Sequence, residues 1–124
     1  MFIKGHKYTR DEIHSSLGGS VQSYLPTKSG RVVCGAFTLN LNPDAPRIVL
    51  PGTGPRIEQS ARLFTEQQSA IPIFIKRQVN QWEYVGLYKV EHLIEDRNII
   101  EEHEKRSGRS NQISMVLFLV EANL

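Results

Sequence analysis

Three segments of this chain carry side chains whose types and spacing suit recognition chemistry. Ser20–Pro26, SVQSYLP, offers donors and acceptors at Gln22 and Ser23 and a stacking face at Tyr24. On spacing alone the plainer reading, a loop anchored in the core by Tyr24, is favoured. Gln81–Val90, QWEYVGLYKV, sets Trp82, Tyr84 and Tyr88 at period-two spacing, with Gly86 interrupting the row. Such a row is core, or one wall of a site for a flat ring. A glycine within it suggests close approach by another backbone or a ligand. Gly52-Thr53-Gly54 stands before a helix, where backbone N–H groups attract anions. It lacks the lysine of a P-loop, and Pro55 removes a donor, so it reads better as a rigid loop lining a pocket. Lys28, Arg31, Arg56, Lys76 and Arg77 are candidate phosphate contacts. Singly each is ordinary solubilising charge, so the expectation is a collective basic face.

Catalytic and metal chemistry find little support. His6, His14, His92 and His103 do not fall at metal-ligand spacing, and no metal or cofactor is expected. No Ser, Cys or His has the local context of a nucleophile. Asp11 and Glu12 belong to a helix start, and Glu101, Glu102 and Glu104 lack the glycine turn of a calcium loop. Cys34, the single cysteine, reads as a small core residue.

The 124 residues suit one domain, 1–124. The charge is near balance but uneven. Residues 1–62 hold eight basic and four acidic residues, net +4; residues 63–124 hold seven and nine, net −2. One end can therefore meet phosphate while the whole stays near neutral. The N-terminus MFIKGHKYTR has no signal-type apolar region, and no apolar run reaches membrane-spanning length. A cytoplasmic location with no membrane partner is expected.

The elements that position these residues follow from local signals. Thr9 and Glu12 form a capping box for a helix over Arg10–Leu17, which Gly18-Gly19 ends. A loop fills Ser20–Gly30. Arg31–Leu41 is the longest strand candidate, with Gly35 as a bulge; Asn42–Pro46 is a turn and Arg47–Leu50 a short strand. Pro55 opens a second helix over Arg56–Gln68, with Ile57, Ala61 and Phe64 on one face. Ile73–Arg77, the aromatic strand and Ile113–Val120 complete the strands. Glu91–Ser110 is a helix around Ile99–Lys105 or a long hairpin excursion. The expected class is α+β, a curved, mainly antiparallel sheet or small β-barrel with two or three flanking helices.

Taken in order, these pieces resemble the SRA-YDG domain of the PUA-like superfamily, nearest to bacterial SRA-like domains often fused to HNH nucleases. Tyr8–His14, Gly18-Gly19 and Gln22 are similar to the family's Arg-Asp-x-Ile-His helix and Gly-Gly-x-x-Gln loop. Val32–Leu39 is similar to the strand that follows. Pro51–Gly54 resembles the Tyr-Thr-Gly-x-Gly loop, and Arg62 with Leu63 the helix after it. Tyr84–Val90 resembles the Tyr-Asp-Gly strand, and Ile113–Val120 the closing strand. The resemblance implies a non-catalytic reader of double-stranded DNA that flips a modified cytosine-type base into a pocket. It implies a pocket at Gln22, Ser23, Tyr24, Asp44, Leu50, Gly52, Thr53 and Gly54, with Asp44 facing the base's amine edge. Trp82 and Tyr84 would be scaffold or stacking residues. A separate or fused nuclease effector in a modification-dependent restriction system would be the partner, with the chain near the nucleoid. Three features depart from the pattern: Leu50 replaces the stacking aromatic, Val85 replaces the Asp of Tyr-Asp-Gly, and the segment between Leu41 and Arg47, which carries Asp44, is shorter than in many members. The alternative is a PUA-like regulatory or interaction domain binding RNA, a nucleotide-like small molecule or a protein partner.

Overall fold

Residues 1–122 are described here, in a computed structural model. The first helix, α1 (Arg10–Leu17), begins as its residue types dictate. The Glu12 N–H donates to Thr9 Oγ1 at 3.1 Å, and the Thr9 N–H donates to Glu12 Oε1 at 2.8 Å. Gly18, at φ 81°, closes it by donating its N–H to the His14 carbonyl. Before α1 lies a two-residue strand, β1 (Lys7–Tyr8), which the sequence did not announce.

The long strand expected over Arg31–Leu41 is two short pieces. β2 (Thr27–Lys28) and β3 (Arg31–Val32) form a hairpin turned by Ser29 and Gly30, both at positive φ. The chain then changes partner, and β4 (Gly35–Phe37) runs parallel to β6 (Ile71–Gln78). Gly35 is no bulge. A Cβ there would lie 2.6 Å from Phe37 Cζ and 2.7 Å from Ile73 Cδ1, so only glycine fits this approach. A turn from Thr38 to Asn42 ends the strand, leaving Leu39 and Leu41 exposed. β5 (Ile48–Val49) follows, and then α2 (Pro55–Gln67), which buries Ala61 and Phe64 completely while Ile57 stays exposed.

β7 (Gln81–Ile94) is the longest strand, and β8 (Val116–Glu121) closes the described chain. Between them lies α3 (Arg97–Ser107), capped by Asp96, so Glu91–Ser110 is both: its first residues, Glu91–Ile94, extend β7, and the helix sits in the long connection to β8. The sheet runs β4–β6–β7–β8–β5, with β1 also on β7; every pairing except β4–β6 is antiparallel. Three helices on a mixed six-stranded sheet make the fold α+β. The barrel expectation is not met among the described residues, because the path has two ends. Both end strands are short, and Pro46 and Pro51 flank β5 where a ladder would need N–H donors.

A bulge in β7 corrects the aromatic row. Ile73 pairs with Gly86 but Phe74 with Tyr84, so Val85 is an extra residue, and Gly86 takes φ 127°. Period two is lost there. Trp82 and Tyr84 pack on one face with Ile13, Cys34 and Phe74, under α1. Tyr88 falls on the other face, in the main core with Ile71, Ile73 and Phe64 of α2. A third cluster, Leu50, Ile100, Ile113 and Val116, seats α3.

Candidate nucleic-acid interface

Arg10 is the residue that builds the Ser20–Pro26 loop. It stands in the first turn of α1, where the helix dipole disfavours a cation. Its Nη2 donates to the carbonyls of Ser20 and Ser23, both at 3.0 Å, and its guanidinium lies 5.0 Å from the centre of the Trp82 ring. Burial pulls its pKa below the ordinary arginine value. Further bonds fold the loop on itself. Ser20 Oγ accepts from the N–H groups of Gln22 and Ser23. His14 Nδ1 lies 2.6 Å from the Gly19 carbonyl. A carbonyl only accepts, so that contact puts a proton on Nδ1.

On one side of this loop is a cleft of about 350 Å³, within the size range of small-ligand sites. Its buried end is formed by Ala36, Phe37 and Trp82, and one wall by Val21, Gln22 and Tyr24. Thr38, Leu41 and Asn42 form the other wall, and Arg10 and Lys76 complete the lining. Val21 and Leu41 are exposed apolar side chains at its mouth. Lys76 pairs with Trp82 across the β6–β7 ladder, and its Nζ stands 5.8 Å from the ring centre. On the other side of the loop, two further grooves of about 490 and 250 Å³ run along α2, with Arg56 in both.

Of the expected pocket residues, Gln22, Ser23 and Tyr24 border these clefts. Tyr24 is pinned. Its hydroxyl donates to the Ile57 carbonyl at 2.5 Å and lies 3.4 Å from Ser60 Oγ, and burial pushes its pKa up to about 12. Asp44 lies elsewhere, in a two-pronged ion pair with Arg106 of α3, whose guanidinium holds the carboxyl below its ordinary value. Leu50 is buried in the α3 cluster; its N–H donates to Asn42 Oδ1 and its carbonyl accepts from Arg109 Nη1. Gly52 lies beside Arg109 as well, while Thr53 is exposed and Gly54 takes φ 129° ahead of Pro55. The Gly52–Gly54 loop therefore stands with α3 and does not line the Trp82 cleft.

The candidate phosphate contacts are spread. Lys76 lines the cleft and Arg56 the grooves. The stem of Lys28 packs against Gly18, Arg31 Nη2 donates to Ser69 Oγ, and Arg77 pairs with Glu83 at 3.0 Å. Trp82 is 7% exposed, and Tyr84 is half-buried against Phe74. Sequence reasoning missed Arg10, Thr38 and Asn42 as cleft residues. Arg10 carried one signal, a cation at the wrong end of a helix. Among the described residues no group of three His, Cys, Asp or Glu side chains is placed to hold a metal, and no helix is long and apolar enough to cross a membrane.

A family model described as "Domain of unknown function (DUF6697)" matches residues 7–105. No curated protein matches the chain. Among solved structures it is similar to a SUVH5 SRA domain in complex with hemimethylated CG DNA, with a TM-score of 0.65 and 14% identity, over 100% of this chain and 90% of that one. It is likewise similar to a SUVH5 SRA domain in complex with methylated CHH DNA, with a TM-score of 0.60 and 12% identity at the same coverage. At such identities the likeness is one of fold.

Proposed function

The chain belongs to the DUF6697 family, and we propose that it is a non-catalytic DNA-binding module that reads a modified cytosine-type base by turning it out of the duplex into the Trp82 cleft. The observation that carries this reading is the cleft itself. An SRA-like fold, shared over the whole chain with domains crystallised on methylated DNA, has a recess at the Ser20–Pro26 loop with aromatic and apolar walls and two cations. Extruding a base costs a few kcal/mol of stacking and pairing, which contacts inside such a recess must offset. The Gln22 side chain makes no hydrogen bond among the described residues and could bond the base edge, the Tyr24 ring borders the recess, and Trp82 closes its buried end. In this reading Arg56, in the grooves on the far side of the loop, and the exposed Lys28 would meet phosphate. In this role the domain would be the specificity part of a restriction system whose nuclease is a separate or fused partner.

The buried state of Trp82 weakens the alternative of an open stacking platform for RNA or single strands, which needs exposed rings. A regulatory domain holding a small nucleotide-like molecule draws support from the engagement of Asp44 with Arg106 and from the near-neutral net charge.

Competition binding among otherwise identical duplexes tests the proposal. Duplexes with 5-methyl- or 5-hydroxymethylcytosine should bind severalfold tighter than the unmodified one, and all should weaken as salt rises. Equal affinity for modified and unmodified cytosine duplexes at moderate salt would overturn it.

A further inference from the structure

The lining of the Trp82 cleft contains two cations and no carboxylate. Cytosine and its methyl derivative present a donor amine, for which an acceptor carboxylate is the natural partner. The carboxylate that the sequence offers for that task, Asp44, is held by Arg106 on α3. The Asn42 amide is also committed, its nitrogen donating to the Thr38 carbonyl and its oxygen accepting from the Leu50 N–H. The two cations differ in their freedom. Arg10 spends its Nη2 on two loop carbonyls. The Lys76 ammonium makes no hydrogen bond or ion pair among the described residues, and it stands over the ring that closes the buried end.

Resting on the base-reading proposal, we infer that the cleft prefers a base whose ring carries an anionic substituent, of which 5-carboxylcytosine is the test case, and that Lys76 determines this preference. A duplex lying over the mouth strips water from Lys76. A methyl substituent then leaves the ammonium without a partner, whereas a carboxylate gives it a charge-assisted bond in a partly desolvated site. Selectivity arises on both counts, from the pair formed and from the cation left unpaired. Gln22, free to donate or accept, adjusts to either base edge.

The experiment uses the full chain and four duplexes identical except at one cytosine: unmodified, 5-methyl, 5-hydroxymethyl and 5-carboxyl. Anisotropy competition is run for wild type and for Lys76→Gln, with thermal melts to confirm that the exposed substitution leaves the fold intact. Wild type should bind the 5-carboxyl duplex about tenfold tighter than the 5-methyl one, the discrimination expected of one well-made polar contact, and Lys76→Gln should lose most of that gap. Preference for 5-methyl over both the unmodified and the 5-carboxyl duplex overturns this inference and leaves the base-reading proposal standing. No preference among the four overturns both. A loss on Lys76→Gln that is equal for every duplex marks Lys76 as a phosphate contact and overturns its role in specificity.

Discussion

Tyr24 shows how one side chain can satisfy two readings. Its ring borders the cleft, yet its hydroxyl is tied to the Ile57 carbonyl of α2. Tyr24→Phe keeps the ring and removes one hydrogen bond to that carbonyl, which still accepts from Ser60 Oγ, so it should cost about 1 kcal/mol in urea unfolding. In a spectrophotometric titration the last phenol to ionise, near pH 12, should disappear with it. Because the folded pKa is raised, this group's contribution is complete below about pH 10, the ordinary tyrosine value, and declines as pH rises toward 12. The ambiguity of Tyr24 is visible in the sequence, because ring and hydroxyl are both legible there. Arg10 is not legible as a cleft residue. Its carbonyl partners lie ten and thirteen positions away and are brought near only when the loop folds back over β7.

Elements whose signals are local are legible in the sequence. The Thr9–Glu12 box, the Gly18 stop and Pro55 at the start of α2 all fall where spacing puts them, because each involves partners within a turn or two. Elements defined by distant partners are not. Arg31–Leu41 has the composition of one strand, but Val32 pairs with Thr27 while Gly35–Phe37 pair with Ile73–Ile75, so the strand divides at the change of partner. Likewise the bulge at Val85 sends Tyr88 to the opposite face from Trp82 and Tyr84, which no alternation pattern in β7 alone can reveal. Gly35 is the test of that packing. Gly35→Ala drives a methyl into Phe37 and Ile73, both fully buried, and should destabilise the protein by about 1–3 kcal/mol, read as a lower urea midpoint at unchanged slope.

At the scale of the whole molecule, the cleft exists because separate pieces of chain converge. α1 supplies Arg10; the Ser20–Pro26 loop and the Thr38–Asn42 turn supply the walls; β4, β6 and β7 supply Ala36, Lys76 and Trp82. The sequence indicates the loop and the Trp82 strand as parts of one site. It misplaces the Gly52–Gly54 loop and Asp44, which gather around α3. The position of α3 is fixed by buried apolar side chains and by Arg106 and Arg109, contacts that span about sixty residues of sequence. Trp82 is the only tryptophan in the chain and lines the cleft, so its emission reports directly on whether a base enters. The decisive measurement is therefore Trp82 fluorescence during titration with a duplex carrying one modified cytosine, with binding followed in parallel by anisotropy. A base entering the cleft should give a saturable change in emission that tracks binding and is much smaller for the unmodified duplex at equal occupancy. Saturated binding of the modified duplex with Trp82 emission unchanged would contradict that entry.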